Sequence, residues 1–109
     1  MPKRQEEGIL SDQIRAAICS AGYWCHNNEV GFDHTKKIKY GLGVGSADLI
    51  AIVRGRFCAL EVKTDLGRVS TWQKLWLAAV RKQGAFGAVV RSPAEALDAL
   101  RRCLEGLHE

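Results

Sequence analysis

The chain has 109 residues, 47% hydrophobic and 26% charged, which fits one globular domain, residues 1–109, with one core and excludes a disordered tail. Sixteen Lys and Arg against twelve Asp and Glu give a net charge of +4, which suits a polyanionic partner without requiring one. No apolar run reaches membrane-spanning length and the basic, polar start is unlike a signal peptide, so no membrane association and a cytoplasmic location are expected.

The first helix is predicted from about Gln5 to Gly22. Its apolar residues Leu10, Ile14, Ala17, Ile18 and Ala21 recur at helical spacing, and Gly22 is a natural stop. At ~100° per residue Glu7 lies on this apolar side, one turn ahead of Leu10, while Glu6 falls toward its edge. Tyr23-Trp24-Cys25 reads as a short strand, and Asn27-Asn28 and Gly31 as turning points. Cys19, Cys25, Cys58 and Cys103 contain no C-x-x-C pair. They read as reduced thiols, with Cys25 packed beside a polar His26 and not half of a zinc site.

Lys36, Lys37 and Lys39 lead through the glycines 41, 43 and 45 toward Asp48. These glycines match neither the dinucleotide fingerprint nor a P-loop. Residues 48–63 are predicted to form a β-hairpin, with strands over Leu49–Val53 and Phe57–Lys63 and a turn at Arg54-Gly55-Arg56. A helix follows from the cap Ser70 to about Gln83, with Trp72, Leu75, Trp76, Ala79 and Val80 as its apolar stripe, and Gly84 ends it. A strand over Phe86–Arg91 comes next. Ser92-Pro93-Ala94-Glu95 then opens a last helix with a cap, a proline at N1 and an acid at N3, burying Leu97, Leu100 and Leu104. Helix, hairpin, helix, strand, helix describes a small mixed α/β domain in which the second hairpin strand and the last strand run parallel across a crossover helix.

Chemistry concentrates in the hairpin. Strand residues alternate faces, so Phe57, Ala59, Glu61 and Lys63 share one side. With Arg54-Gly55 as the turn pair, Asp48 faces Glu61; with Gly55-Arg56 it faces Lys63. Three ionisable side chains thus converge in an apolar hairpin, which costs stability unless something compensates. A strand-end salt bridge is one answer. A hard divalent cation on the two carboxylates is another, and it suits phosphodiester hydrolysis with Lys63 orienting water or stabilising charge.

Gly45-Ser46-Ala47-Asp48, Gly55-Arg56-Phe57, Leu60-Glu61-Val62-Lys63-Thr64, Gly67-Arg68-Val69-Ser70-Thr71-Trp72-Gln73, Gly84 and Val89-Val90-Arg91-Ser92 occur in the order of the virus-type replication-repair nuclease (VRR-NUC) domain, which the sequence resembles along nearly its whole length. The resemblance implies a restriction-endonuclease-like fold of the PD-(D/E)xK superfamily, a mixed central sheet of hairpin plus parallel strand flanked by helices. It also implies roles. Asp48 and Glu61 are the metal-ligand acids, the Val62 carbonyl is a backbone ligand, and Lys63 is the catalytic lysine. Glu7 is an N-terminal helix acid reaching the metal directly or through water, and Gln73 is the glutamine opening the following helix. The ion expected is Mg2+, with Mn2+ substituting. Ala47 stands where the superfamily name calls for proline, a position that ligates nothing. Glu7 also reads as a helix-dipole acid. Ser70-x-x-Gln73 also reads as a capping box.

DNA contacts are expected from Lys36, Lys37, Lys39, Arg54, Arg56, Arg68 and Lys74, mostly to phosphates. No base-reading motif is present, so recognition of DNA shape is expected. By analogy with stand-alone members of the family, the chain is expected to be a homodimeric, junction-resolving endonuclease of phage or bacterial DNA metabolism. A flap, nicking or exonucleolytic enzyme, or an inert DNA-binding module, are the alternatives.

Overall fold

The computed structural model describes residues 3–109. Three helices surround a four-stranded sheet: α1 (Lys3–Ser20), β1 (Trp24–Asn27), β4 (Leu49–Val53), β5 (Arg56–Val62), α2 (Thr71–Lys82), β6 (Phe86–Val90) and α3 (Pro93–Leu104). Between β1 and β4 a separate two-stranded ribbon, β2 (Gly31–Asp33) and β3 (Ile38–Tyr40), stands apart from this sheet. The sheet order is β1-β4-β5-β6, with only the β5–β6 pair parallel. The expected α/β architecture is what the chain adopts. The ribbon and the full length of β1 were not predicted.

The hairpin resolves its two possible registers in favour of Arg54-Gly55. Val53 pairs with Arg56 and Leu49 with Leu60, and both turn residues have positive φ, 50° at Arg54 and 82° at Gly55. That is the turn whose twist matches a right-twisted strand pair. Extending the register one step places Asp48 opposite Glu61.

The two faces of the sheet are covered differently. Cys58, Leu60, Val62, Leu49, Ala51 and Val53 point to one side, where Ile14 and Ile18 of α1 and Ala96, Ala99, Leu100 and Cys103 of α3 close the main core. On the other side Ala47 and Ala59 lie under Leu77 of α2, with Ile50, Trp76, Val80 and Val89 around them. Among the described residues no helix is long and apolar enough to cross a membrane.

Three predicted stripes are corrected. In α2, Trp72 is 65% exposed and Leu75 58%, and Ala79 is exposed. The inward face is instead Gln73, Trp76, Leu77, Val80 and Arg81, which keeps the i, i+3, i+4, i+7, i+8 spacing but is led by a polar residue. In α3 the small residues Ala96, Ala99 and Cys103 sit against the sheet beside Leu100, while Leu97 and Leu104 remain partly open to solvent, because close approach of helix and sheet favours the narrow side. Ala21 falls in the turn after α1 and is exposed. Both α2 and α3 are capped as expected, by Ser70 and Ser92. Glu95, however, accepts from the Arg91 N–H (2.6 Å).

Candidate active site

Asp48 lies immediately before β4 and Glu61 near the end of β5, so the open end of the hairpin delivers both to one place. The Asp48 Oδ2 accepts a hydrogen bond from the Val62 amide at 2.8 Å. That bond fixes the aspartate beside Glu61 without using the Glu61 side chain. Glu61 is 1% exposed. Its Oε1 accepts from Gln73 Nε2 at 2.9 Å and lies 3.9 Å from Lys63 Nζ. Its Oε2 is buried with no hydrogen-bond partner among the described residues.

Burial, reinforced by the nearby carboxylates of Asp48 and Glu7, pushes the Glu61 carboxyl up to about 9, against the lowering effect of Lys63. At neutral pH, with no cation present, Glu61 therefore holds a proton. An orphaned carboxyl oxygen in an apolar setting costs free energy, and a cation that takes the place of the proton removes that cost.

Gln73 serves two roles at once. Its Oε1 accepts from the Ser70 amide (2.8 Å) while its backbone N–H donates to Ser70 Oγ (3.2 Å), so the capping box is complete. Its Nε2 remains free for Glu61. An amide is required for both bonds, since the oxygen serves the cap and the nitrogen serves the acid.

Glu7 reaches the site from the second turn of α1. Its Oε1 is buried without a partner among the described residues, like the Glu61 Oε2. A methyl group on Gly67 would stand 3.2 Å from Glu7 Oε1 and 3.3 Å from both Cβ and Cδ of Lys63. Glu7 and Lys63 thus approach each other across a glycine that leaves them room. No three His, Cys, Asp or Glu side chains of the described residues stand together as a ready-made cage.

Three residues to which the sequence assigns no individual role position the site. Asn28, read there only as part of a turn, donates through Nδ2 to Ser46 Oγ and the Ala47 carbonyl (both 2.8 Å), accepts from the Leu42 amide (3.1 Å), and its own amide donates to the Asp48 carbonyl (2.8 Å). It clamps the loop that presents Asp48. Arg91 donates to the carbonyls of Thr64 (2.6 Å) and Gly67 (2.9 Å), tying down the loop after Lys63. Gly67 is the third. Each of the three acts through contacts made between segments distant in the chain, which local pattern does not display.

The basic residues divide. Lys36, Lys37 and Lys39 lie on the ribbon, and Arg68 and Lys74 flank the start of α2, all exposed. Arg54 and Arg56 are at the closed end of the hairpin, roughly 17 Å from Glu61 at 3.3–3.4 Å per strand residue. Arg56 spends its guanidinium on the carbonyls of Cys103 and Gly84 and on His108 Nδ1. The structure does not bring these two arginines to the acids. Cys25, Cys58 and Cys103 are buried free thiols whose ionisation burial suppresses, and Cys19 is an exposed one.

A cleft of about 920 Å³ opens beside the acids, bounded by Glu7, Asp12, Glu29 and Asp48 with Tyr40 and Gln73. Glu61 is joined to this lining through its bond with Gln73. Among the described residues no Lys or Arg lines this cleft.

The family model described as VRR-NUC domain matches residues 7–94, a span that runs from Glu7 through α2 and β6 to the start of α3. No curated protein matches the chain.

Proposed function

The chain belongs to the VRR-NUC domain family, a nuclease domain of the PD-(D/E)xK type acting on DNA, and from that premise we propose that it is a Mg2+-dependent, structure-specific endonuclease that hydrolyses phosphodiester bonds in branched DNA. The observation that carries the metal is the pair of buried, unpartnered oxygens, Glu61 Oε2 and Glu7 Oε1, next to an Asp48 already oriented by the Val62 amide. Asp48, Glu61 and the Val62 carbonyl would hold the ion, with Glu7 direct or through water. Oxygen donors of this kind suit Mg2+, with Mn2+ as substitute.

The bound ion supplies Lewis acidity toward a phosphate oxygen and lowers the pKa of a water. The protein's own groups do the rest. Val62 and Gln73 each fasten one oxygen of an acid, so the other is oriented before substrate arrives. Lys63, 9% exposed and steadied by Glu61, places a cation where negative charge develops on the phosphate oxygens or orients the attacking water. The acidic cleft also supports a cation requirement, because four carboxylates without a lining base repel a phosphodiester until positive charge is added. Lys36, Lys37, Lys39, Arg68 and Lys74 supply phosphate contacts around the rim.

A homodimer belongs to the same proposal. It is supported by Trp24, Ile52 and Phe57, which are cross-strand partners in β1, β4 and β5 and are 51%, 44% and 37% exposed. They form an apolar row on the α2 side of the sheet, the kind of patch that a two-fold contact covers.

The test is cleavage of labelled single strand, duplex, flap, splayed arm and four-way junction with Mg2+, Mn2+ or EDTA, beside folded Glu61→Ala and Lys63→Ala proteins. Metal-dependent cutting of branched substrates, lost in both variants, is expected. No cutting, or equal cutting by the variants, would leave the acids as structural and favour a DNA-binding module. Cutting confined to strand ends would favour an exonuclease.

A further inference from the structure

The ribbon between β1 and β4 is not needed to complete the sheet, and its aromatic residue nearest the acids is placed with unusual economy. Tyr40, at the end of β3, is 50% exposed and lines the cleft it shares with Glu7, Asp48 and Gln73. Its partner across the ribbon is Gly31. A Cβ on Gly31 would lie 2.2 Å from the Tyr40 Oη and 2.4 Å from Cζ, so the phenol ring lies across the space that any side chain at 31 would fill. The φ of Gly31 is not positive; glycine is there for room, not for torsion. The ring is held at the root of the ribbon, where the chain is least free. Gly41, the next residue, has φ +87° and packs so closely that a Cβ would meet the Glu29 carbonyl at 2.2 Å. Beyond it the Leu42 amide is bonded to Asn28, whose own amide is bonded to the Asp48 carbonyl.

We infer that Tyr40 is a stacking platform for an unpaired base next to the scissile phosphate, and that the β2–β3 ribbon is the arm that guides that single strand into the cleft. The inference rests on the nuclease reading above and names the part of a branched substrate that the site holds. Charge and chemistry agree with it. The ribbon carries Lys36, Lys37 and Lys39 against one carboxylate, Asp33, and Asp33 is turned inward to accept from the amides of Thr35 and Lys36. Backbone phosphates are therefore attracted along the arm. At the cleft wall the sign reverses, with Glu29 beside Tyr40 and Asp12 along α1. A strand is held there by a base face and not by its phosphates, and an aromatic ring is the sequence-tolerant way to do so. A duplex hides its base faces in the stack, so only an unpaired nucleotide can use the ring.

The experiment measures binding in Ca2+ with the DNA confirmed intact afterwards. The probes are a splayed-arm DNA carrying 2-aminopurine in its single-stranded arm and a fully paired duplex carrying it internally. Anisotropy and 2-aminopurine quenching are read for the wild type, Tyr40→Phe, Tyr40→Leu and Gly31→Ala. The last variant displaces the ring without altering it. Wild type and Tyr40→Phe are expected to bind the splayed arm alike and to change its fluorescence. Tyr40→Leu and Gly31→Ala are expected to bind it roughly fivefold or more weakly without that change, and all four are expected to bind duplex equally. A Tyr40→Leu protein that matches wild type on the splayed arm, a loss of the same size on duplex, or a wild type that shows no fluorescence change overturns the platform. Cleavage in Mg2+ is scored in parallel. No cutting, with the stacking differences intact, removes the nuclease reading and leaves the platform; cutting with no stacking differences does the reverse.

Discussion

Glu61→Gln should remove a pH sensitivity that the metal-free native protein carries. The Glu61 carboxyl is raised to about 9, first by burial and then by Asp48, whereas in the unfolded chain it titrates near 4.5. Between these values the folded state binds one proton that the unfolded state does not. The stabilisation associated with that proton is complete below the unfolded value and is lost as pH rises through about 9. One extra proton corresponds to about 1.4 kcal/mol per pH unit, so from pH 6 to pH 8 the wild type should lose roughly 3 kcal/mol through this group. That is a sizeable share of the ~5–15 kcal/mol typical of a domain. Glutamine has the same shape, keeps a hydrogen-bonding group toward Gln73 and does not titrate. The assay is urea unfolding in EDTA at pH 6, 7 and 8 for both proteins. Subtracting the two curves cancels the other titrating groups, and the difference should move in favour of the glutamine variant by about 1.4 kcal/mol for each unit. Saturating Mg2+ should flatten the wild-type slope, because the cation replaces the proton, and should leave the variant unmoved. Parallel curves from pH 6 to pH 8 would refute the reasoning, since they would mean that Glu61 is already ionised in the folded, metal-free protein.

Gln73→Ala should destabilise by ~1–3 kcal/mol, because it loses both the cap bond and the donor to a buried acid. Ser70→Ala should cost ~1 kcal/mol through the cap alone and retain most cleavage, so unfolding and rate measured together separate the two roles of Gln73. Asn28→Asp replaces the Nδ2 donor to Ser46 and Ala47 with an acceptor; ~1–3 kcal/mol of stability and a weaker Mg2+ midpoint in cleavage titrations are expected, and an unchanged midpoint would show that the clamp does not govern Asp48. Replacing Lys36, Lys37 and Lys39 together by glutamine should weaken DNA binding and flatten the salt dependence by roughly 0.7–0.9 in log–log slope per lost contact; unchanged binding at low salt would refute an arm that touches phosphate.

Most of the sheet and the heart of the site were legible because they depend on short-range rules. Two-residue alternation put Glu61 and Lys63 on one side, and one turn choice put Asp48 opposite Glu61. What failed did so for identifiable reasons. The stripe of α2 was assigned by hydrophobicity, which attracted it to Trp72 and Leu75, yet the inward face starts at Gln73, whose amide bonds to Glu61. The α3 stripe favoured leucines, while the sheet accepted alanines. The ribbon was opaque because its strands have three residues each and only two of its features declare a purpose: a glycine opposite a tyrosine, visible once the register is known, and a lysine-rich tip. Arg91 stood only as a motif residue and Asn28 only as a turn residue, because what they hold lies more than ten residues away.

The hairpin explains how a small chain tolerates a buried, incompletely bonded acid. Its closed end is over-determined: Arg56 links β5 to carbonyls at the ends of α2 and α3 and to His108, while the Gly87 amide donates to the His108 carbonyl. Its open end is the opposite, with Glu61 Oε2 left without a partner among the described residues. Rigid pairing of the same two strands transmits the order of one end to the other, because the register that seats Val53 against Arg56 also sets Asp48 against Glu61. Stability is thus concentrated at the end away from the acids, and the cost of an unpaired oxygen falls at the end where the proposed cation would bind. The mutational signature follows. Arg56→Met should lower unfolding stability by about 1–3 kcal/mol while leaving the rate per folded molecule unchanged, whereas Glu61→Gln should abolish cleavage without lowering stability at pH 8. An Arg56→Met protein that stays folded but has lost its activity would show that the two ends are not separable in this way.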